Sequence, residues 1–259
     1  MMGFPRIVRK LLLTVFGWLV AVGMSAQSSP RPAAPMPLDD IVRNLDASNR
    51  DRAEALRQYE ATRTYAMQYH GFPSGHAEMV VRVRFQAPAT KQFHIVSQSG
   101  SHVIVDRVFK PMMDREREGA SDPARVETTS RNYQFSMAGY ERTPDGDRYV
   151  LYAKPRTDDR LLFRGKVWID AKEFAVVRIE GEPAESPSFW IKRTEIRHSY
   201  KKVNGFWLPS ENRSTSYMRF GGRADLSIEY QKYDITDAHS LPQARASEGT
   251  EQHAIEVTP

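Results

Sequence analysis

The sequence predicts an α+β protein dominated by one large antiparallel sheet, with one helix ahead of it and a second inserted among its strands. Three observations carry that expectation. Apolar residues recur at helical spacing near residues 38–56 and then switch to strict alternation. The alternating segments are joined mostly by connections short enough for hairpins, two of them built on glycine. Between residues 107 and 133 the alternation lapses into a charged, amphipathic segment.

The first helix is expected in LDDIVRNLDASNRDRAEALRQYE, where Leu38, Ile41, Val42, Leu45, Ala53 and Leu56 share a stripe. Asp39 and Asp40 stand in its first turn, where the helix dipole favours carboxylates. Residues 46–49 mark a point where it could divide in two. HAEMVVRVRFQA then alternates, with Met79, Val81, Val83 and Phe85 on one face and Glu78, Arg82, Arg84 and Gln86 on the other. After a proline-containing turn, ATKQFHIVSQSG returns with Phe93 and Ile95 on one side.

DRVFKPMMDREREGASD sets Val108, Phe109, Met112 and Met113 against a charged tail, which predicts a short amphipathic helix from Arg107 to about Gly119. Proline lacks the N–H that a helix interior needs, so Pro111 belongs in its first turn or at a kink. GDRYVLYAKP resumes strand, and LLFRGKVWID with FAVVRIEGEP forms a hairpin that is apolar on both faces. SFWIKRTEIRHSYKK, FWLPSENRSTSYMRF and RADLSIEYQKYDI complete the run, turning at VNG (203–205) and FGG (220–222). In this reading Phe189–Trp190 and Phe206–Trp207 each place large rings on both faces of a strand. The expected total is eight to ten strands.

Strands twist, so a sheet of this size curls. It either closes into a barrel or leaves a concave apolar face that the two amphipathic helices must cover. By alternation that face carries Met79, Val81, Val83, Phe85, Phe93, Ile95, Val177, Ile179, Leu226, Ile228 and Tyr230, the candidates for lining a ligand cavity. Val108, Phe109, Met112 and Met113 are candidates for a lid over it, since methionine side chains repack cheaply and Pro111 offers a weak point.

The ends of the chain point to export. Arg6, Arg9 and Lys10 precede an apolar run over residues 11–24 and a small-residue segment ending at Ala26, the layout of a cleavable signal peptide at residues 1–26. That run is shorter than the roughly 20 residues that cross a bilayer. A Pro- and Ser-rich linker over 27–37 follows, then one domain over 38–237, and a polar tail over 238–259 reads as disordered. The chain carries 37 Lys and Arg against 32 Asp and Glu, and removing the three signal-peptide bases leaves 34 against 32. No basic stripe with interleaved aromatics appears, so nucleic acid is not an expected partner. The absence of cysteine excludes disulfides, thiol catalysis, Cys-ligated metal and the acylated Cys of a lipoprotein. A soluble, periplasmic monomer is the expectation.

No catalytic constellation stands out. His70, His76, His94, His102, His198, His239 and His253 are scattered and form no metal-binding helix motif. No nucleophile elbow is present. PDGDRY (144–149) and TDDR (157–160) read as polar turns rather than as a calcium loop or an acid–base pair. Neither an enzyme nor a cofactor is expected.

FRGKVWIDAKEFAVVRIEGEP followed by FWIKRTEIRHSYKKVNGFWLP resembles the C-terminal half of the bacterial outer membrane lipoprotein-sorting proteins, the LolA/LolB-like superfamily. The elements that carry the resemblance are Trp168-Ile169-Asp170, Val177-Arg178-Ile179-Glu180 and the Gly205 to Pro209 strand after its glycine turn. It covers residues 147–235, while residues 38–98 agree in layout. The excursion at 107–133 is longer than in that family, and no motif places the family's lid-holding arginine. The resemblance implies an unclosed half β-barrel whose helices cover the concave face and enclose a hydrophobic cavity. It further implies a periplasmic carrier of lipid or lipoprotein acyl chains, with a role in lipoprotein sorting and outer-membrane biogenesis. The alternative is an RseB-like envelope sensor or scaffold that uses the same fold to contact a membrane protein partner.

Overall fold

A computed structural model describes residues 36–238. The expected signal peptide, the linker up to residue 35 and the tail after residue 238 lie outside the described residues. Helix α1 (Leu38–Ala55) leads into β1 (Leu56–His70), β2 (Gly75–Gln86) and β3 (Thr90–Gly100). A helical excursion follows: α2 (His102–Ile104), a π-turn (Val105–Phe109), α3 (Lys110–Ser121) and α4 (Pro123–Val126). The chain then continues through β4 (Tyr133–Glu141), β5 (Arg148–Pro155), β6 (Phe163–Asp170), β7 (Val176–Pro183), β8 (Ile191–Val203), β9 (Phe206–Met218) and β10 (Arg223–Ala238).

The ten strands form one antiparallel sheet in the order β3-β2-β1-β10-β9-β8-β7-β6-β5-β4. β3 and β4 stay unpaired with each other, so the curled sheet is open. The first and last strands are neighbours, third and fourth in that order, with Tyr65 opposite Ile228. The helical excursion is the connection between the two free edges. This is the α+β half-barrel that the alternation and the resemblance imply.

Four expectations need correction. Residues 46–49 do not divide α1, which runs unbroken to Ala55. The helix was expected to continue through residue 60, but Leu56 starts a fifteen-residue strand. There Tyr59, Ala61 and Tyr65 are buried in alternation with more exposed neighbours, so tertiary burial overrides the helical pattern. Tyr133–Glu141, which the sequence reading passed over, is an edge strand with several exposed positions, and its alternation is correspondingly weak. The excursion helix begins at His102 rather than Arg107. Within it Pro111 falls in the first turn of α3, directly after the π-turn. Its missing N–H removes one i→i−4 bond there, which fits a local change in the hydrogen-bond ladder.

Each helix covers its own part of one sheet face. Ile41 and Leu45 of α1 are fully buried against Tyr149, Leu151, Val167, Ile169 and Ile179 of β5–β7. Full burial of each such side chain stabilises by about 1.5–3 kcal/mol. The α1 end of the excursion is tied in by hydrogen bonds: Ser130 N–H and Oγ donate to Asp46, and Asn49 Nδ2 donates to the Thr128 carbonyl. The rest of the excursion covers β1–β3 and β10.

The β6–β7 hairpin is apolar on both faces, as expected. Val167, Ile169 and Ile179 face α1, while Val150, Trp168 and Val177 form a second cluster with Trp207 on the opposite face. The Arg178 guanidinium lies 3.7 Å from the centre of the Trp168 ring. The two strands approach closely where Gly165 pairs with Gly181: a Cβ on either would stand 2.1 Å from a carbonyl oxygen of the other strand. Glycine is required there by space. At the β8–β9 turn it is favoured by conformation, with Asn204 at φ 47° and Gly205 at φ 88°.

Candidate functional site

Most of the cavity and lid candidates meet in one place. Met79, Val81, Val83, Phe93, Ile95, Leu226, Ile228 and Tyr230 pack in a single cluster with Val108, Phe109, Met112 and Met113 of the excursion helix. Alternation on β2, β3 and β10 supplies the floor, and the i, i+3, i+4 spacing of Phe109, Met112 and Met113 supplies the cover. Phe109 is fully buried, with its ring centre 5.7 Å from that of Tyr65. Met79, Val81 and Val83 are also without exposed surface. In this structure the helix therefore occupies the apolar face rather than roofing an open space.

Three candidates lie elsewhere. Phe85 packs beside Tyr59, Phe206 and Leu208, near the C-terminal end of α1. Ile179 belongs to the cluster under α1. Val177 faces the other side of the sheet, which corrects the alternation argument for β7. A bulge opposite Trp168 and Ile169 pairs Ile169 with Val176, leaving Val177 as the extra residue on the far face.

The excursion helix is also held by charge, through residues the sequence reading did not single out. Arg63 points inward from β1 with 1 % of its side chain exposed, and its Nη1 donates to Glu116 Oε2 at 2.6 Å. Lys91 of β3 donates from Nζ to the other oxygen, Oε1, at 2.6 Å. The Arg63 guanidinium lies 4.5 Å from the Tyr230 ring centre and 5.8 Å from that of Phe93, which Arg117 approaches to 4.9 Å from above. Arg63 Nε is buried with no hydrogen-bond partner.

Electrostatics fix the charge state of this triad. Burial by itself would raise the Glu116 carboxyl, but Lys91 and Arg63 outweigh it and hold the group well below the usual carboxylate range. Burial likewise opposes the charge on Arg63, and Glu116 outweighs it. The acid is thus ionised and chelated between two cations, one of which has almost no access to water. A signal for it exists in the sequence. Glu116 continues the stripe of Phe109, Met112 and Met113 at i+7, and Arg63 takes an inward slot between Ala61 and Tyr65. A charge in each of two buried stripes implies a pair.

The open depressions lie elsewhere. One of about 430 Å³ sits beside the start of α1, lined by Leu38, Val42, Arg43, Tyr133, Phe135 and Arg156. Another of about 390 Å³ lies on β7–β9 between Glu180, Arg197 and Arg213. Among the described residues no group of three or more His, Asp or Glu side chains could hold a metal ion, and no helix is long and apolar enough to cross a membrane.

No family model matches the chain, and no curated protein does. Solved structures are similar at low identity. An outer membrane lipoprotein-sorting protein domain from Vibrio parahaemolyticus is 11 % identical over 76 % of this chain and 91 % of its own, with a TM-score of 0.40. A LolA superfamily protein from Nitrosomonas europaea is 12 % identical over 76 % of this chain and 94 % of its own, with a TM-score of 0.33. The Pseudomonas aeruginosa MucA/MucB complex is 10 % identical over 75 % of this chain and 100 % of that one, with a TM-score of 0.24. Likenesses at this level establish neither family nor ligand.

Proposed function

We propose that this chain is a periplasmic, non-enzymatic carrier of lipid-like ligands, with lipoprotein acyl chains as the cargo and outer-membrane lipoprotein sorting as the process served. One observation carries the reading. A methionine-rich helix plugs an apolar sheet face and is fastened by a charged triad rather than by apolar contacts alone. The surface that Phe109, Met112 and Met113 bury is the surface an acyl chain would need. Displacing the helix exchanges one apolar occupant for another, and methionines adapt to either packing. The segment at 102–121 then acts as a lid, and the Arg63–Glu116–Lys91 triad as its latch.

Hydrogen exchange with mass spectrometry tests the lid. Residues 102–121 are expected to exchange faster than the β6–β7 hairpin, and faster still when phospholipid or a mild detergent is added, because a ligand on the apolar face stabilises the state from which the helix has been displaced. Native mass spectrometry of protein purified from a bacterial envelope should show a co-purifying lipid or lipoprotein. Protection equal to that of the hairpin, unchanged by lipid, would make the helix a fixed part of the core and remove the carrier reading. Ligand-free protein that co-purifies with a membrane protein would support the sensor or scaffold in its place.

A further inference from the structure

Three connections gather at one end of the sheet. The pairing of His70 with Arg223 sets the β1–β2 turn (71–74) beside the β9–β10 turn (219–222). The pairing of Ile191 with Met218 sets the β7–β8 connection (184–190) on that turn's other side. All three carry exposed aromatic side chains. Phe72 is 100 % exposed, Phe220 79 %, Phe189 71 % and Trp190 61 %. Phe189 and Trp190 were expected inside a strand, but they precede β8 and belong to the connection.

These rings are built outward rather than left loose. Arg219 N–H donates to the Trp190 carbonyl at 2.9 Å, and Arg219 Nε donates to the Phe189 carbonyl at 2.6 Å. The same guanidinium lies 5.2 Å from the Phe189 ring centre. Ile191 N–H closes the connection onto the Ser188 carbonyl at 3.0 Å. Phe189 meets Trp190 edge-on at 5.6 Å, and Trp190 meets Phe220 at 5.7 Å. Backbone and guanidinium bonds thus stitch two neighbouring loops into one aromatic knuckle. Core packing does not explain it, because the rings have little core to pack on.

The charge around the knuckle is positive. Lys192, Arg193, Arg219 and Arg223 are exposed there, while Glu185 is the acid within the connections. Arg193 and Arg223 are paired with Glu195 and Asp225 just inside the strands. Lys192 and Arg219 face no carboxylate partner among the described residues.

We propose that this aromatic and cationic rim is a membrane-contact site that seats the protein on a bilayer bearing anionic phospholipid headgroups. Trp and Phe settle at the headgroup level, where an amphipathic or apolar ring meets both phases. Arginine and lysine beside them add attraction to an anionic surface, which decays within a Debye length. An apolar patch that is neither packed nor disordered marks an interaction surface, and its cationic frame selects the lipid surface as the occupant. The site lies on loops at the sheet end, and it stands whether or not the excursion helix is a lid.

Vesicle partitioning tests it, using the whole mature chain with vesicles of phosphatidylethanolamine and phosphatidylglycerol. The unaltered protein is expected to co-sediment and its tryptophan emission to shift to the blue. Acyl chains brominated near the headgroup should quench that emission more than chains brominated near the methyl end. Trp168 is buried and Trp207 half-buried, so W190F should remove most of the response. F189S/F220S should weaken partitioning at least tenfold with an unchanged Tm, because both rings are largely exposed. K192Q should reduce binding further at low salt than at high salt. Failure of the unaltered protein to bind these vesicles, or equal binding by F189S/F220S, would overturn the proposal. So would a rim that captures an envelope protein but no vesicle. Uptake of detergent-dispersed lipid by F189S/F220S separates this outcome from the carrier reading, since the helix-covered face is untouched by those substitutions.

Discussion

Glu116 concentrates the energetics of the helix-covered face in one side chain. Its carboxylate gives up hydration on a partly buried surface, and Arg63 and Lys91 offset that loss only while all three are in place. Glu116→Gln removes the charge and leaves the Arg63 guanidinium buried without a counter-ion. The expected cost is about 3–5 kcal/mol, read from urea denaturation, with faster exchange confined to residues 102–121. A loss under about 1 kcal/mol would mean that water screens the triad and that the apolar contacts alone hold the helix. The carboxyl is depressed in the folded state, so its stabilisation is full above the ordinary carboxylate range. It fades only as pH falls towards the much lower folded value, and mild acid therefore leaves the latch closed. Both partners stand in readable positions, Glu116 in a helical stripe and Arg63 in a strand alternation. Their meeting was not readable, because 53 residues separate them and only the sheet order brings β1 under the excursion.

At the scale of elements, clean alternation was a reliable guide and bulges were not. β2 pairs with β1 without a slip, so Met79, Val81 and Val83 all face the helix as their spacing requires. β7 slips at one residue, and Val177 leaves the face that Ile179 keeps. A bulge has no fixed sequence mark, and it shifts every later side chain by one place. Val83→Asp and Ile228→Asp should each destabilise by several kcal/mol, since an unpaired carboxylate would be placed where no water reaches. Val96→Asp, on the exposed side of β3, should stay within about 0.5 kcal/mol. Thermal unfolding of the three variants side by side checks the face assignment, which fails if Val83→Asp melts with the unaltered protein.

The whole molecule divides into two helix-covered parts joined by the central strands, and His198 stands between them. It lies opposite Ile179 on one side, a residue of the α1 cluster, and opposite Asn212 on the other. Asn212 Nδ2 in turn donates to Tyr230 Oη at 2.8 Å, within the cluster under the excursion. Burial pushes the half-buried His198 imidazole down to about 4, against about 6.5 in the unfolded chain. The folded state therefore holds fewer protons than the unfolded state between those values. Stability from this group is present above pH 6.5 and is lost as pH falls towards 4. His198→Asn should flatten the stability profile between pH 6.5 and 4, as measured by urea denaturation at a series of pH values. A profile unchanged by that substitution would assign the acid sensitivity elsewhere.

The sequence by itself determined the class, the strand-rich architecture and the inward faces of β2 and β10. These depend on local periodicity, and side chains three to four or two places apart report it directly. It also carried the composition of the covering helix, with its methionines, Pro111 and charged end. Tertiary structure decided the rest. It turned residues 56–60 from the expected helix end into the start of β1, because that strand gains more from pairing with β2 and β10 than from local helix propensity. It seated the excursion helix on the apolar face and closed the Arg63–Glu116–Lys91 triad. It also brought three distant connections together at one end of the sheet to form the aromatic rim. Each of these depends on strand order and long-range burial, and a one-dimensional pattern does not encode which strand becomes whose neighbour.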